Sequence, residues 1–551
     1  MVDIASEKDP ERLRQIAQIA LADNDRLVRR IVKLTRELAE LRGKSQQDLA
    51  LEMQHLKEEL AELKGKVFGR SSERRPTEDE KSEKTKTKAK RGHGPRVQPN
   101  LEQTEEEHCL PEDECICPHC SARLDVFVGQ EEVSEEIDVI ERRIVLCKHT
   151  QLKYRCSHCH AYVTTAPRPA RLIPGGRYST NFAIDVAVDK YADHLPLERQ
   201  VRILRRYGLD VDSQTLWDQI LALTRLLRDP VYKALGEFVL SSAVVHADET
   251  RWRMLTKGNR KAWYLWGVSR MEAAYYKILD SRSAESGGEL LGNYDGTVVS
   301  DGYDVYPKIA KDHANGQLRI SVKPGEPDDE DEDDTGPPPT GGNRFKTAGC
   351  WAHARRKFVQ AEQHEHEACK EIIDLIGKLY EVERQVPFVI AEGDELAKQL
   401  ALRAELRKSV SKGILAEIYT WVEDNKGKFL PKSKMGKAVS YLDNQKKHLK
   451  VFLTDPRVPI DNNRMERGLR GPVVGRKNFY GVKSQRGAEA AAVFYSIFES
   501  CKLCGVDPKK YLKHVTPLLL NGASHVPLPH EYAKNPLDPK AEDKQKSSAS
   551  S

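Results

Sequence analysis

The sequence predicts a multidomain α+β protein, and three observations carry that expectation. Residues 11–67 lack proline and repeat apolar residues at helical spacing. Two Cys-x-x-Cys pairs sit where large apolar residues are scarce, and short β-branched and aromatic runs between 244 and 301 interrupt otherwise helical surroundings. At 551 residues the chain is long enough for three or more folded units. Charged residues make up 31% against a usual ~25%, so some segments are solvated arms and not core. No apolar run approaches the ~18 residues of a membrane span, and the N-terminus has no apolar signal-peptide core. Membrane and secreted classes are therefore not expected. Net charge is only +5, from 89 Lys+Arg and 84 Asp+Glu, so partners must be read from how charge is distributed.

Leu27, Ile31, Leu34, Leu38 and Leu41 alternate in steps of four and three, as do Leu49, Met53, Leu56, Leu60, Leu63 and Val67. Such a seam with charged flanks asks for a partner helix, so residues 11–67 read as a coiled coil that pairs two copies of the chain. An amphipathic helix docked on its own domain is the alternative. Residues 68–108 read as a polar linker. Arg70 to Arg96 holds ten Lys/Arg and five Asp/Glu, which suits either a solvated tether or an arm trailing along phosphates.

Residues 109–170 read as a zinc-binding domain. Cys117-x-x-Cys120 and Cys156-x-x-Cys159, with 35 residues between them, supply four thiolates for one closed tetrahedral structural Zn²⁺ site, with Cys115, His119, Cys147, His158 and His160 as competing ligands. A small segment with little apolar mass needs that ion to fold. Residues 180–240 read as helical. A helix ended by Gly208 and a second opened by Asp212 or Ser213 have the layout of a helix-turn-helix, with Arg199, Arg202, Arg205 and Arg206 clustered on the first. DNA contact here and an ordinary helical pair both suit the pattern.

From Ala243 the texture changes to an α/β core, 241–358 and 456–530, with mixed strand directions. The expected strands are Val244–Asp248, Ala262–Val268, Ala273–Leu279 and Thr297–Asp301. A helical insertion occupies 359–455. Seven consecutive acids, Asp328 to Asp334, lie on a surface loop, and 531–551 is a polar, disordered tail. Asp248 and Asp301 each close an expected strand. Two carboxylates there can share divalent cations, or simply cap turns. A third acid, Glu466, stands alone among seven Lys/Arg from Arg464 to Arg486, in a helix that Asp461 or Asn462 would cap and that must end by Pro472. Arg467, Arg476 and Lys477 supply a cationic surface, and Phe479 and Tyr480 add aromatic faces for unpaired bases. Arg355 and Arg356 open a helix after a core strand, where they suit DNA contact or packing.

Taken together these motifs resemble the DDE transposases of the insertion sequence 66 family. The resemblance is carried by Phe68-Gly-Arg70, the two cysteine pairs, His194-Leu-Pro-Leu197, His246-Ala-Asp-Glu-Thr250, Ser300-Asp-Gly-Tyr303 and Gly349-Cys-Trp-Ala-His-Ala-Arg-Arg-Lys-Phe358. It continues through Asp461-Asn-Asn-Arg-Met-Glu-Arg467 and Gly475-Arg-Lys-Asn478. It implies an RNase H-like catalytic core with Asp248, Asp301 and Glu466 as the acidic triad around two Mg²⁺ (or Mn²⁺) ions. It also implies DNA partners at element ends and target, accessory proteins from the same element, and a cytoplasmic, nucleoid-associated location. Glu249, Glu489 and Glu499 are the rivals of Glu466. Two other classes remain at this point: a non-catalytic zinc-dependent DNA-binding regulator, and an RNase H-like nuclease acting on branched DNA.

Overall fold

A computed structural model describes residues 143–155, 163–166, 170–255, 262–314 and 345–535. The expected coiled coil, the linker, the acidic loop and the end of the tail lie outside the described residues. So do Cys117, Cys120, Cys156 and Cys159. The chain divides into two units, and the second, Leu63–Arg143, is described only at Arg143.

Strands β1 (Lys153–Arg155) and β2 (Val163–Thr165) pair antiparallel, Tyr154 opposite Thr164. Helix α1 (Thr180–Tyr191) starts where the Ser179 hydroxyl accepts from the Phe182 N–H. Helix α2 (Leu197–Arg206) ends at Gly208, whose φ of 81° turns the chain, and Asp212 caps α3 (Ser213–Leu227) by accepting from the Thr215 N–H at 2.6 Å. Leu216, Ile220, Leu223 and Leu227 are fully buried at helical spacing, so α3 packs on the core and leaves Arg202, Arg205 and Arg206 of α2 exposed. Helix α3 runs on through a widened π-helical turn at Arg228–Lys233 into α4 (Ala234–Leu240). Pro230 lies in that turn and has no N–H to give the regular ladder, which is where helices bulge.

The central sheet has five strands in the order β5-β4-β3-β6-β7: β3 (Val244–Trp252), β4 (Trp263–Ser269), β5 (Ala274–Leu279), β6 (Thr297–Val299) and β7 (Lys346–Ala348). β3, β4 and β5 form an antiparallel meander, and β6 and β7 join β3 in parallel. The parallel steps need crossovers, supplied by α5 (Ala284–Leu291) and α6 (Val305–Ala314). One expectation is corrected here. β3 does not stop at Asp248 but pairs with β4 as far as Trp252 opposite Trp263, so Asp248 stands in mid-strand.

Helix α7 (Trp351–Ala361) follows β7 and leads into a second helical core. That core is built from α8 (His366–Gln385), α9 (Gly393–Leu406), α10 (Lys412–Asn425) and α11 (Lys434–Asn444). Short turns at Lys446–Leu449 and Val451–Thr454 return the chain to the sheet through α12 (Asn463–Gly468) and α13 (Arg470–Phe479). Helix α14 (Gln485–Leu503) is the most buried among the described residues, from Ala490 to Phe498 without interruption, and α15 (Pro508–Leu520) covers it. α14 also closes the outer edge of β5. Ser496 and Ser500 hydroxyls accept from the Tyr276 and Ala274 N–H groups at 2.9 and 3.0 Å, which removes an exposed pairing edge. No helix among the described residues is long and apolar enough to cross a membrane.

Arg407 organises the insertion. It is fully buried, pairs with both carboxylate oxygens of Glu383 at 2.8 and 2.7 Å, and donates to the carbonyls of Phe452, Asp455 and Val458. Removing one partner of such a pair leaves the other buried and uncompensated. Arg407→Ala is therefore expected to cost ~3–5 kcal/mol, read from the denaturant midpoint at constant m-value. A loss under ~1 kcal/mol would contradict this role.

Candidate active site

The site is built on β3. Side chains alternate along a strand, so His246, Asp248 and Thr250 share one face and Glu249 takes the other. On the Asp248 face the opposing residue of β4 is Gly267. A Cβ there would collide with the Met465 methyl and the Tyr276 ring, so glycine lets α12 lie close over the sheet. β6 stops at Val299, the Ser300 N–H donates to the Ala348 carbonyl at 3.0 Å, and Asp301 leaves the sheet just beyond. Its carboxylate accepts from the Tyr303 N–H at 3.0 Å, and its carbonyl accepts from the Tyr441 hydroxyl of α11 at 2.8 Å. Gly302, with φ 85°, makes the turn directly beneath that hydroxyl.

Glu466 arrives on α12, and the local structure corrects a second expectation. Asn462 stands at the N-cap position but its side chain caps nothing. It is fully buried, its carbonyl oxygen accepts from His246 Nδ1 at 3.0 Å, its amide donates to the Ala247 carbonyl at 2.8 Å, and its backbone N–H donates to Cys350 Sγ at 3.2 Å. The Asp461 carboxylate instead accepts from the Asn463 N–H at 3.1 Å. The helix does end before Pro472, as expected. α12 ends at Gly468 and Pro472 lies in the first turn of α13, where its missing N–H costs nothing.

The charges of the three expected acids act on one another. Burial, then the charges of Glu249, Asp301 and Glu466, push the Asp248 carboxyl up to about 8. Glu249 is already satisfied on the opposite face. Its carboxylate accepts from Arg282 Nε at 2.8 Å, again from the same guanidinium, and from the Tyr306 hydroxyl at 2.8 Å. Glu489 is half-exposed near Arg228, and Glu499 is paired with Lys502 at 3.0 Å. Glu466 takes one hydrogen bond from Arg356 Nη2 at 3.1 Å, and its other oxygen lies 3.4 Å from His353 Nδ1. An aspartate raised by burial and by neighbouring carboxylates leaves room for added positive charge, and an all-oxygen donor set is what Mg²⁺ takes. Burial drives the His246 imidazole down to about 3, so it stays neutral and donates to Asn462.

The cationic residues divide. Arg476 donates to the Thr250 hydroxyl at 3.4 Å, on the Asp248 face, while Arg467 and Lys477 are exposed on α12 and α13. Arg356 is part of the acidic cluster and Arg355 is half-buried on α7. Arg202, Arg205 and Arg206 stand on α2, Arg205 paired with Asp210 at 3.2 Å. Sequence reasoning missed Asn462 as a buried clamp, Tyr441 behind Asp301, and the contacts of Cys350 and His353. Only the Cys350-Trp-Ala-His353 spacing could have signalled any of these.

Without bound cations, folded Asp248 keeps its proton to about pH 8, whereas the unfolded chain releases it near 3.8. The folded state thus holds the extra proton between those values, and this contribution is complete at low pH and is lost as pH rises through about 8. Asp248→Asn, uncharged throughout, is expected to match the wild type near the acid end of that window. Above it the variant should gain ~1–2 kcal/mol in chelator, measured by thermal unfolding. A variant less stable than wild type at the alkaline end would contradict the assignment.

Residues 175–490, more than half of the chain and including all three acids, match the family model described as Transposase IS66 family. Residues 114–160 match the zinc-finger binding domain of transposase IS66. Similar proteins include two from Sinorhizobium fredii, both described only as uncharacterized. One, y4jD, is 29% identical over 425 residues, 75% of this chain and 76% of its own. Another, y4qI, is 30% identical over 419 residues, 73% of this chain and 70% of its own. The chain therefore belongs to the IS66 family of transposases and carries that family's zinc-finger domain.

Proposed function

We propose that this transposase binds the terminal inverted repeats of a bacterial insertion sequence and performs Mg²⁺-dependent end cleavage and strand transfer at Asp248, Asp301 and Glu466. The observation that carries the reading is the Asp248 carboxyl, raised first by burial and then by the charges of Glu249, Asp301 and Glu466, the last two from segments distant in sequence. Held by these carboxylates, two Mg²⁺ (or Mn²⁺) ions would activate the attacking oxygen and stabilise the leaving oxygen of a phosphodiester. The chain's own contribution is positional. β3 fixes Asp248, the Tyr441 hydroxyl and Tyr303 N–H fix Asp301, and Asn462 with Met465 fixes the helix that carries Glu466. Arg476, Lys477, Arg467 and Arg355 offer charge to the phosphates of the bound strand.

The five-stranded mixed sheet, with a helical insertion before its last acid, is consistent with an RNase H-like core. On this reading the α2–α3 pair, through Arg202, Arg205 and Arg206, holds element ends together with the zinc-finger domain. One Zn²⁺ sits on Cys117, Cys120, Cys156 and Cys159. Residues 11–67 pair two copies, accessory proteins of the element assist, and the protein works at the nucleoid.

The test uses labelled element ends, with and without Mg²⁺. Wild type should nick the end and join it to target DNA. Asp248→Asn and Glu466→Gln should lose both products while keeping the gel shift of the end. Cleavage surviving either substitution would refute the triad. Specific binding without any Mg²⁺-dependent cleavage would favour a DNA-binding regulator, and cleavage without joining would favour a nuclease.

A further inference from the structure

Next to the acidic triad lies a group of different chemistry. Cys350 sits at the N-cap position of α7 and His353 follows within its first turn, while α12 brings Glu466 opposite them. One donor atom from each, sulfur, nitrogen and oxygen, lies within 4.8 Å of the other two. His353 Nδ1 and Glu466 Oε1 are both buried and meet no hydrogen-bond partner, although they are 3.4 Å apart. Two ligands on one tetrahedral ion with bonds of about 2.1 Å stand about 3.4 Å apart. Cys350 Sγ accepts the Asn462 N–H at 3.2 Å, the kind of outer hydrogen bond that steadies a bound thiolate.

We propose that Cys350, His353 and Glu466 form a second metal position that takes a Zn²⁺-class ion and, when loaded, withdraws Glu466 from the Asp248–Asp301 pair. The withdrawal rests on the reading of Glu466 given above; the binding itself does not. A sulfur, nitrogen and oxygen donor set suits zinc or cobalt and is poor for Mg²⁺, which prefers oxygen alone. Three protein ligands leave one corner open for water.

Arg356 opposes loading. Its guanidinium donates to His353 Nε2 at 3.2 Å and to Glu466 Oε2 at 3.1 Å. Because a guanidinium only donates, the ring proton of His353 sits on Nδ1 while that contact lasts. An ion on Nδ1 displaces this proton, the ring takes one on Nε2 from solvent, and the Cys350 thiol proton leaves to solvent. Nε2 then no longer accepts from Arg356, so loading turns that guanidinium away.

Full-length protein with its zinc-finger domain filled by one equivalent of Zn²⁺ is titrated with Co²⁺, following the thiolate-to-Co²⁺ charge-transfer absorption. A further equivalent should bind with that band. Cys350→Ser should lose the band, His353→Ala should raise the apparent Kd by about tenfold or more, Arg356→Ala should lower it, and Asp301→Asn should leave it unchanged. Circular dichroism and melting temperature establish that each variant is folded, and His353→Ala decides the matter if Cys350→Ser is not. The position is refuted if no band accompanies the further equivalent, if the band survives His353→Ala at unchanged affinity, or if Asp301→Asn abolishes it. In the cleavage assay, Zn²⁺ added over excess Mg²⁺ should inhibit wild type, and failure to inhibit overturns the withdrawal. Absence of any Mg²⁺-dependent cleavage would sink the triad reading alone, because the Co²⁺ spectrum does not depend on it.

Discussion

Three hydrogen bonds made by the buried Asn462 join segments that are far apart in sequence and place the helix carrying Glu466 over the strand carrying Asp248. The cost it offsets is electrostatic. Burial, then the charges of Glu249, Asp301 and Glu466, disfavour an ionised Asp248, as the upward shift of its carboxyl records. Each hydrogen bond contributes a net ~0.5–1.5 kcal/mol, and burying Met465 against Gly267 adds ~1.5–3 kcal/mol. Those contacts hold α12 on the sheet, so packing fixes the positions of the side chains it carries. Such preorganisation matters for chemistry in which the protein contributes mainly position and charge.

The helical insertion takes part in the same arrangement. Tyr441 of α11 donates to the Asp301 carbonyl, and the Trp351 indole donates to the Leu449 carbonyl, so the second core buttresses the open end of β6 and the start of α7. Arg407 holds the far side of the insertion by tying α8 to the returning chain at Phe452, Asp455 and Val458. A chain segment of that size inserted before the third acid is thereby made part of the site's support.

Much of this was legible in the residues. The strand runs at 244–248, 262–268, 273–279 and 297–301 anticipate β3 to β6 because period-2 and β-branched patterns report local burial. Gly208 and Asp212 mark the α2–α3 turn because cap chemistry is local. The extent of β3 past Asp248 was not legible, since it depends on seven residues of pairing with β4. Local sequence leaves Asp461 and Asn462 as equal cap candidates for the same reason: the Asn462 side chain is claimed by β3, over two hundred residues earlier in the chain. Glu466 could be singled out by its basic surroundings, but its contact with Arg356 and its closeness to His353 arise only from the packing of α12 on α7.

The convergence of Asp248, Asp301 and Glu466 on shared cations is tested most directly by anomalous scattering from crystals of the protein soaked in Mn²⁺. Strong peaks bounded by oxygens of Asp248 and Asp301, with Glu466 supplying a further ligand, are the predicted result. Peaks that leave Glu466 uncoordinated, with Glu249 or Glu499 in its place, would contradict the account.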